Sequence, residues 1–186
     1  MLPSRADTAR LLFALSFSAQ KHRHQRRKDA DSSPYINHPI EVARLLAEVG
    51  QGVDLQILIA AVLHDTLEDT ETTPFELEEL FGPEVRRMVE EVTDDKTLEK
   101  AIRKELQVKQ VAGLSSGAKM IRISDKICNV RDVSHSPPAD WGMTRRRDYF
   151  DWTQRVVAGC RGVNEGLERL FDEVLLQGRE ILAKSL

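Results

Sequence analysis

The chain has 186 residues and a mass of 21.1 kDa, with 41% hydrophobic, 31% charged and 5% aromatic residues. That composition excludes a disordered acidic tail and a collagen-like fibre, and a chain of this length buries about 70% of its extended surface without staples. Lys plus Arg number 27 against 30 Asp plus Glu, so the net charge is −3, which points to neither bulk nucleic-acid binding nor a membrane surface. The apolar run 57–63 falls far short of the ~20 residues that span a bilayer. Residues 1–20 are interrupted by Arg5, Asp7 and Arg10 and lack a cleavage site, so no secretory signal is read. Cys128 and Cys160 are far apart and read as buried small hydrophobes of a reduced, cytoplasmic protein.

Nearly every segment repeats at helical spacing. Ser4 and Asp7 form a capping box for a first helix, whose apolar face is read as Ala9, Leu12, Phe13, Ser16 and Phe17. A basic segment, 21–29, and a turn at Ser32-Ser33-Pro34 follow. His38-Pro39 opens a second helix that Gly50 ends, and Asp54 caps a third, 55–67, apolar nearly all round and therefore central. Further helices are expected from Thr73-Pro74 to Gly82, 83–92, 97–113, 115–133, 144–160 and 164–183. The total is about nine helices in one all-α domain, residues 1–186 with a core of about 5–180, and the 136–142 loop is the expected mobile segment.

Chemistry concentrates where the apolar third helix runs into His64-Asp65 and then Glu68-Asp69. Buried carboxylates are costly unless paired or bound to a metal, and the helix dipole disfavours them at a C-terminus. His64 and Glu68 share one face, Asp65 and Asp69 another, so convergence on one ion needs groups from elsewhere. His38, beside a helix start, and Asp125, inside an amphipathic helix, supply them; Asn129 and Asp132 follow on the face of Asp125. Two imidazoles and two carboxylates make a mixed N/O set that suits Mn²⁺, Fe²⁺ or Zn²⁺ better than Ca²⁺. Without cysteine the set reads as catalytic.

The order His38 … His64-Asp65 … Asp125 is the signature of HD-domain metal-dependent phosphohydrolases. The blocks Arg27-Lys28-Asp29, Tyr35-Ile36-Asn37-His38-Pro39, His64 to Asp69, Val89 to Lys96 and Lys119 to Asp132 closely resemble the hydrolase domain of Rel/SpoT-type alarmone enzymes. The likeness is strongest to the stand-alone small alarmone hydrolases, the animal SpoT homologue among them, over roughly residues 5–180. It implies an HD-domain helical bundle and one Mn²⁺ held by His38, His64, Asp65 and Asp125, with Glu68 and Asp69 as the activating pair. It also implies Asn129 near the metal, Arg27 against the purine, Lys28 near the phosphates, and Lys100, Arg145 and Tyr149 around the second phosphate group and sugar.

The implied reaction is removal of the 3′-pyrophosphate of (p)ppGpp. The same chemistry on (p)ppApp, and removal of the 2′-phosphate of NADPH, stay open. So do a non-catalytic sensor, an HD-type 5′-nucleotidase and a nucleic-acid binder. The implied partner is a small nucleotide, with no nucleic acid or membrane; oligomeric state is not legible. Ser32-Ser33 departs from the Gly-Thr of many relatives in the loop that faces the base. Lys21, Arg23 and Arg26 read as solubilising charges, His22, His24 and His135 as surface histidines, Trp141 and Trp152 as packing residues, and Met88 and Met120 as core filler.

Overall fold

The structure, a computed structural model, describes residues 4–29 and 31–184. The outermost ends of the expected 1–186 domain and Ala30 lie outside the described residues. Among the described residues there are ten α-helices and no strand: α1 (Arg5–Lys21), α2 (Asn37–Val49), α3 (Leu55–Leu63), α4 (Thr66–Asp69), α5 (Pro74–Phe81), α6 (Pro83–Val92), α7 (Lys100–Gln110), α8 (Ser116–His135), α9 (Met143–Ala158) and α10 (Glu165–Lys184). The all-α reading holds, with the extra helix arising from a split of the third.

The helix starts follow from side chains that satisfy orphan backbone N–H groups. Ser4 Oγ accepts from Asp7 N at 3.0 Å, Asp54 from Ile57 N at 2.9 Å, and Thr73 Oγ1 from Glu76 N at 3.2 Å. Gly82, at φ +93°, ends α5 and opens α6, a turn that a side chain would strain. Cross-helix arginines close other ends: the Arg122 guanidinium donates to Val92 O at the end of α6, and Arg146 donates to Val133 O and Ser134 O near the end of α8.

Helix α3 is central as expected. Ile59, Ala60, Ala61, Val62 and Leu63 are at most 1% exposed, and α3 packs on α1, α2, α6 and α8. On its far side α8 lies along α10. Cys128 and Cys160 are buried free thiols, and Met88 and Met120 sit in the core.

Several expectations are corrected. The inward face of α1 carries Ala14 and Ser18, flanked by Leu11 and Leu15, while Leu12 and Phe13 are 59% and 49% exposed. Ser18 is tolerated there because its hydroxyl donates to Val62 O at 2.9 Å. His22 is not on the surface: it is 2% exposed, bonded to Gln25, with its ring 5.0 Å from that of Tyr35. His24 and His135 are exposed as expected. The α7 helix starts at Lys100, not Thr97, because Thr97 donates through both N and Oγ1 to Asp95 Oδ1 and closes a local turn.

Candidate functional site

The expected 55–67 helix stops at Leu63, and the break builds the site. His64 Nδ1 lies 2.8 Å from Ala61 O, and Thr66 Oγ1 donates to Leu63 O at 2.6 Å. These side chains take up carbonyls at the end of α3, so the chain turns at His64-Asp65 before the single turn of α4. Across this junction the two consecutive side chains converge, with Asp65 Oδ2 3.0 Å from His64 Nε2.

His38 arrives from the first turn of α2 and Asp125 from the middle of α8. Ligand atoms of His38, His64 and Asp65 lie within 4.8 Å of one another. Asp125 Oδ1 lies 3.1 Å from His38 Nε2 and 3.9 Å from His64 Nε2, and Asp65 Oδ2 is 3.0 Å from His64 Nε2. With Nδ1 committed to a backbone carbonyl, His64 presents its buried Nε2 to the carboxylates of Asp65 and Asp125, at 3.0 and 3.9 Å. That pattern fits a divalent cation, since a ligating imidazole anchors its other nitrogen and offers a lone pair inward.

Neighbours orient the carboxylates. Tyr35 donates its hydroxyl to Asp65 Oδ2 at 2.7 Å. Asp125 Oδ2 accepts from the buried Lys126 ammonium at 3.0 Å, and its Oδ1 accepts from Asn129 Nδ2. Burial opposes the charge on Asp125, yet Lys126 and His38 hold its carboxyl well below the usual range. Burial likewise opposes ionisation of His64, but Asp65 and Asp125 raise its pKa to about 9.

Glu68 stands on α4 just beyond the ligands. Its Oε2 accepts from Asp94 N at 3.1 Å, and Arg103 Nη1 lies 3.7 Å from its Oε1. Burial is the main reason its pKa rises to about 6; Asp94, Asp65 and Asp69 push the same way against the Asp94 backbone bond. Asp69 is paired with Lys96, and its backbone carbonyl accepts from Gln25.

Two cavities flank these groups. The first, about 490 Å³, is walled by Arg27, Lys28, Asn129 and Asp69 and by the apolar Val133, Pro138 and Trp141. Arg27 is paired with Asp132 and lies over the Tyr35 ring at 5.7 Å. The second, about 230 Å³, is cationic, with Lys100, Arg103, Lys104 and Arg145 around it. Tyr149 and Trp141 line both, so the cavities share a wall.

The structure thus gathers His38, His64, Asp65, Asp125 and Asn129 at one cluster. It sets Glu68 and Asp69 beside them, Arg27 and Lys28 in the first cavity, and Lys100 and Arg145 in the second, with Tyr149 between. Sequence reading missed Arg103 and Lys104, although Lys100, Arg103, Lys104 and Gln107 recur at one-face spacing. Trp141 does pack against the core as read, and it has a second place that the reading did not give it. The ring lies in the wall of both cavities, under the Arg145 guanidinium at 4.6 Å, and its loop, 136–142, forms part of the first cavity.

Comparison with known proteins agrees with this architecture. The pattern that defines the HD domain matches residues 14–149. The chain is 49% identical over 172 residues to the Homo sapiens guanosine-3′,5′-bis(diphosphate) 3′-pyrophosphohydrolase MESH1, covering 92% of this chain and 96% of that protein. An Aquifex aeolicus protein named guanosine-3′,5′-bis(diphosphate) 3′-pyrophosphohydrolase is 41% identical over 123 residues, 64% of this chain and 17% of that one. The solved structure of a metazoan ortholog of SpoT that hydrolyses ppGpp superposes with a TM-score of 0.89 at 44% identity, covering 95% of this chain and 97% of the other. By fold, by the His/Asp cluster and by these likenesses, the chain belongs to the HD domain family and, within it, to the group of small SpoT-related proteins.

Proposed function

We propose that the chain is a Mn²⁺-dependent 3′-pyrophosphohydrolase of purine alarmones, converting (p)ppGpp and water to GDP or GTP and pyrophosphate. The observation that carries this reading is a buried His/Asp cluster beside Glu68, set between an apolar-walled cavity and a cationic one. The relatives at 44–50% identity named as ppGpp pyrophosphohydrolases support it.

His38, His64, Asp65 and Asp125 hold the divalent ion. When bound, such an ion supplies Lewis acidity toward water and neutralises phosphoryl oxygens. Glu68 takes the proton of the attacking water at Oε1 while Oε2 stays fixed by Asp94 N. A pKa near 6 suits that task, because the carboxylate is ionised at neutral pH and still basic. Asp69, held by Lys96, assists in passing the proton on. Asn129 keeps Asp125 in place and faces the substrate.

Arg27 presents a planar guanidinium for stacking on the purine, with Lys28 as a point charge for the phosphates. Lys100, Arg145 and Tyr149 take the 5′-phosphates and the sugar. The partner is accordingly a small nucleotide, not a nucleic acid or a membrane, and the setting is the cytoplasm. No described helix is long and apolar enough to cross a membrane.

Metal-loaded turnover tests the reading. With Mn²⁺, ppGpp yields pyrophosphate and His64→Ala abolishes the yield; ppApp and NADPH in parallel assays rank the substrates. No pyrophosphate from either alarmone overturns the proposal.

A further inference from the structure

Helix α7 packs Val108 against the core and turns a charged face toward the cationic cavity. Lys100, Arg103, Lys104 and Gln107 stand at i, i+3, i+4 and i+7, and all four line the cationic cavity. Arg145 joins them from α9. Against four cations the cavity wall offers one carboxylate, Asp94, both of whose oxygens already accept from Gln107 Nε2, at 2.8 and 2.6 Å. Arg145 has a partner of its own outside the wall, Asp140 at 2.9 Å, which leaves Lys100, Arg103 and Lys104 short of anionic partners on the wall itself.

Within it, Arg103 holds a distinct place. Its Nε is a buried nitrogen with no hydrogen-bond partner, and its Nη1 stands 3.7 Å from Glu68 Oε1, beyond hydrogen-bond length. A buried guanidinium N–H left unpaired is costly in a folded protein, so an absent acceptor is the economical explanation. Lys100 and Lys104 have their own surroundings: Lys100 is exposed, and the Lys104 ammonium lies 4.6 Å over the Trp152 ring. Arg103 is the cavity cation in salt-bridge range of Glu68.

We propose that Arg103 is a further catalytic residue, whose guanidinium binds the pyrophosphoryl group that leaves in the reaction. This rests on the functional reading above. In that reaction the bond from water oxygen to the attacked phosphorus forms and the bond from that phosphorus to the 3′-oxygen breaks. Glu68 receives one proton of the water while the remaining hydroxyl stays on phosphorus, and that proton passes, with the help of Asp69, to the departing 3′-oxygen. Arg103 exchanges no proton. It donates to non-bridging oxygens of the departing pyrophosphate, where negative charge accumulates, and its fork geometry suits two such oxygens at once. Its position beside Glu68 places that grip next to the group that activates water.

Two measurements test the assignment on the full chain. The first is calorimetric binding of inorganic pyrophosphate, without added metal, to wild type, Arg103→Met and Arg103→Lys. Arg103→Met is expected to weaken pyrophosphate at least ~10-fold, with Arg103→Lys in between. The second is steady-state hydrolysis of ppGpp with Mn²⁺. There Arg103→Met is expected to lower kcat ~100-fold with a smaller change in KM, and Arg103→Lys to recover part of the loss. Circular dichroism and thermal melts check folding, and if Arg103→Met is misfolded the charge-retaining Lys variant carries the comparison. Pyrophosphate binding that is undetectable in wild type, or equal in wild type and folded variants, overturns the assignment. If pyrophosphate binding depends on Arg103 but wild type releases none from ppGpp, the functional reading fails and the anion site at Arg103 stands.

Discussion

Burial and three neighbouring carboxylates act together on Glu68, raising its pKa from 4.5 to about 6 in the folded chain. A raised folded pKa means the proton is bound more tightly in the folded state than in the unfolded one. The stability this confers is complete below pH 4.5 and lost as pH rises through about 6. Glu68→Gln removes the charged form, so at pH 7.5 the metal-free variant is expected to be about 1–2 kcal/mol more stable than wild type. At pH 4 the two should coincide. Urea melts at the two pH values check this, and equal stabilities at pH 7.5 contradict it. The same variant should lower kcat by ~100-fold or more while still binding nucleotide. Lys126 poses the opposite case, a buried cation that is kept because it is paired. Its ammonium lies 3.0 Å from Asp125 Oδ2 and 4.6 Å from the centre of the Trp152 ring. Lys126→Met strips Asp125 of one donor while leaving the carboxylate buried. The expected cost is about 2–4 kcal/mol, read from chemical denaturation.

Helix ends and helix contacts show what was legible before the fold and what was not. The caps at Ser4, Asp54, Thr73 and Ser115 were legible because each depends on one side chain and a backbone N–H three residues on. The inward face of α1 was not, because hydrophobicity favours Leu12 and Phe13 over Ser18, and only the Val62 carbonyl on α3 makes Ser18 an interior residue. The break after Leu63 was hidden for a related reason. The 55–67 stretch is good helical sequence, and the carbonyls that stop it are taken by His64 and Thr66 only once the ring and hydroxyl turn back. Close helix contacts also escape sequence reading. A Cβ on Gly178 of α10 would lie 2.6 Å from Ser134 Oγ on α8 and 3.0 Å from the Phe150 ring on α9. Ser134 can rotate, at the loss of its bond to Val130 O; Phe150, 1% exposed, has little room. Gly178→Ala is therefore expected to destabilise the chain by about 1–3 kcal/mol, although Ala is the better helix former. A melting temperature at or above that of wild type contradicts this.

Across the whole molecule, a chain of net charge −3 gathers its cations where a polyanion would lie. The metal-ligand candidates were legible because an ionisable cluster at the end of an apolar helix is conspicuous in any reading. Arg103 and the cavity-wall place of Trp141 were not, because each is ordinary in its own segment and gains meaning only from the cavity that distant helices enclose. The cavities themselves set the last expectation. The first has the apolar wall and stacking guanidinium that suit a base, and the second has four cations and about half the volume. With Tyr149 and Trp141 as their shared wall, a nucleotide bound with its base in the first would extend its 5′-phosphates into the second. On the proposed function, Lys100 and Arg145 would then act on the 5′-phosphates and not on the bond that is cut. Removing either costs one charge-assisted contact at an exposed site, so KM for ppGpp should rise about tenfold for Lys100→Ala or Arg145→Ala with kcat nearly unchanged. Guanosine 3′-diphosphate, which lacks the 5′-phosphates, should be hydrolysed equally by wild type and both variants. The effect on ppGpp should shrink as salt is added, because exposed charges are screened within about 10 Å at 0.1 M. An equal rise in KM for both nucleotides would place the two side chains at the cleaved group instead and reverse the orientation of the substrate across the two cavities.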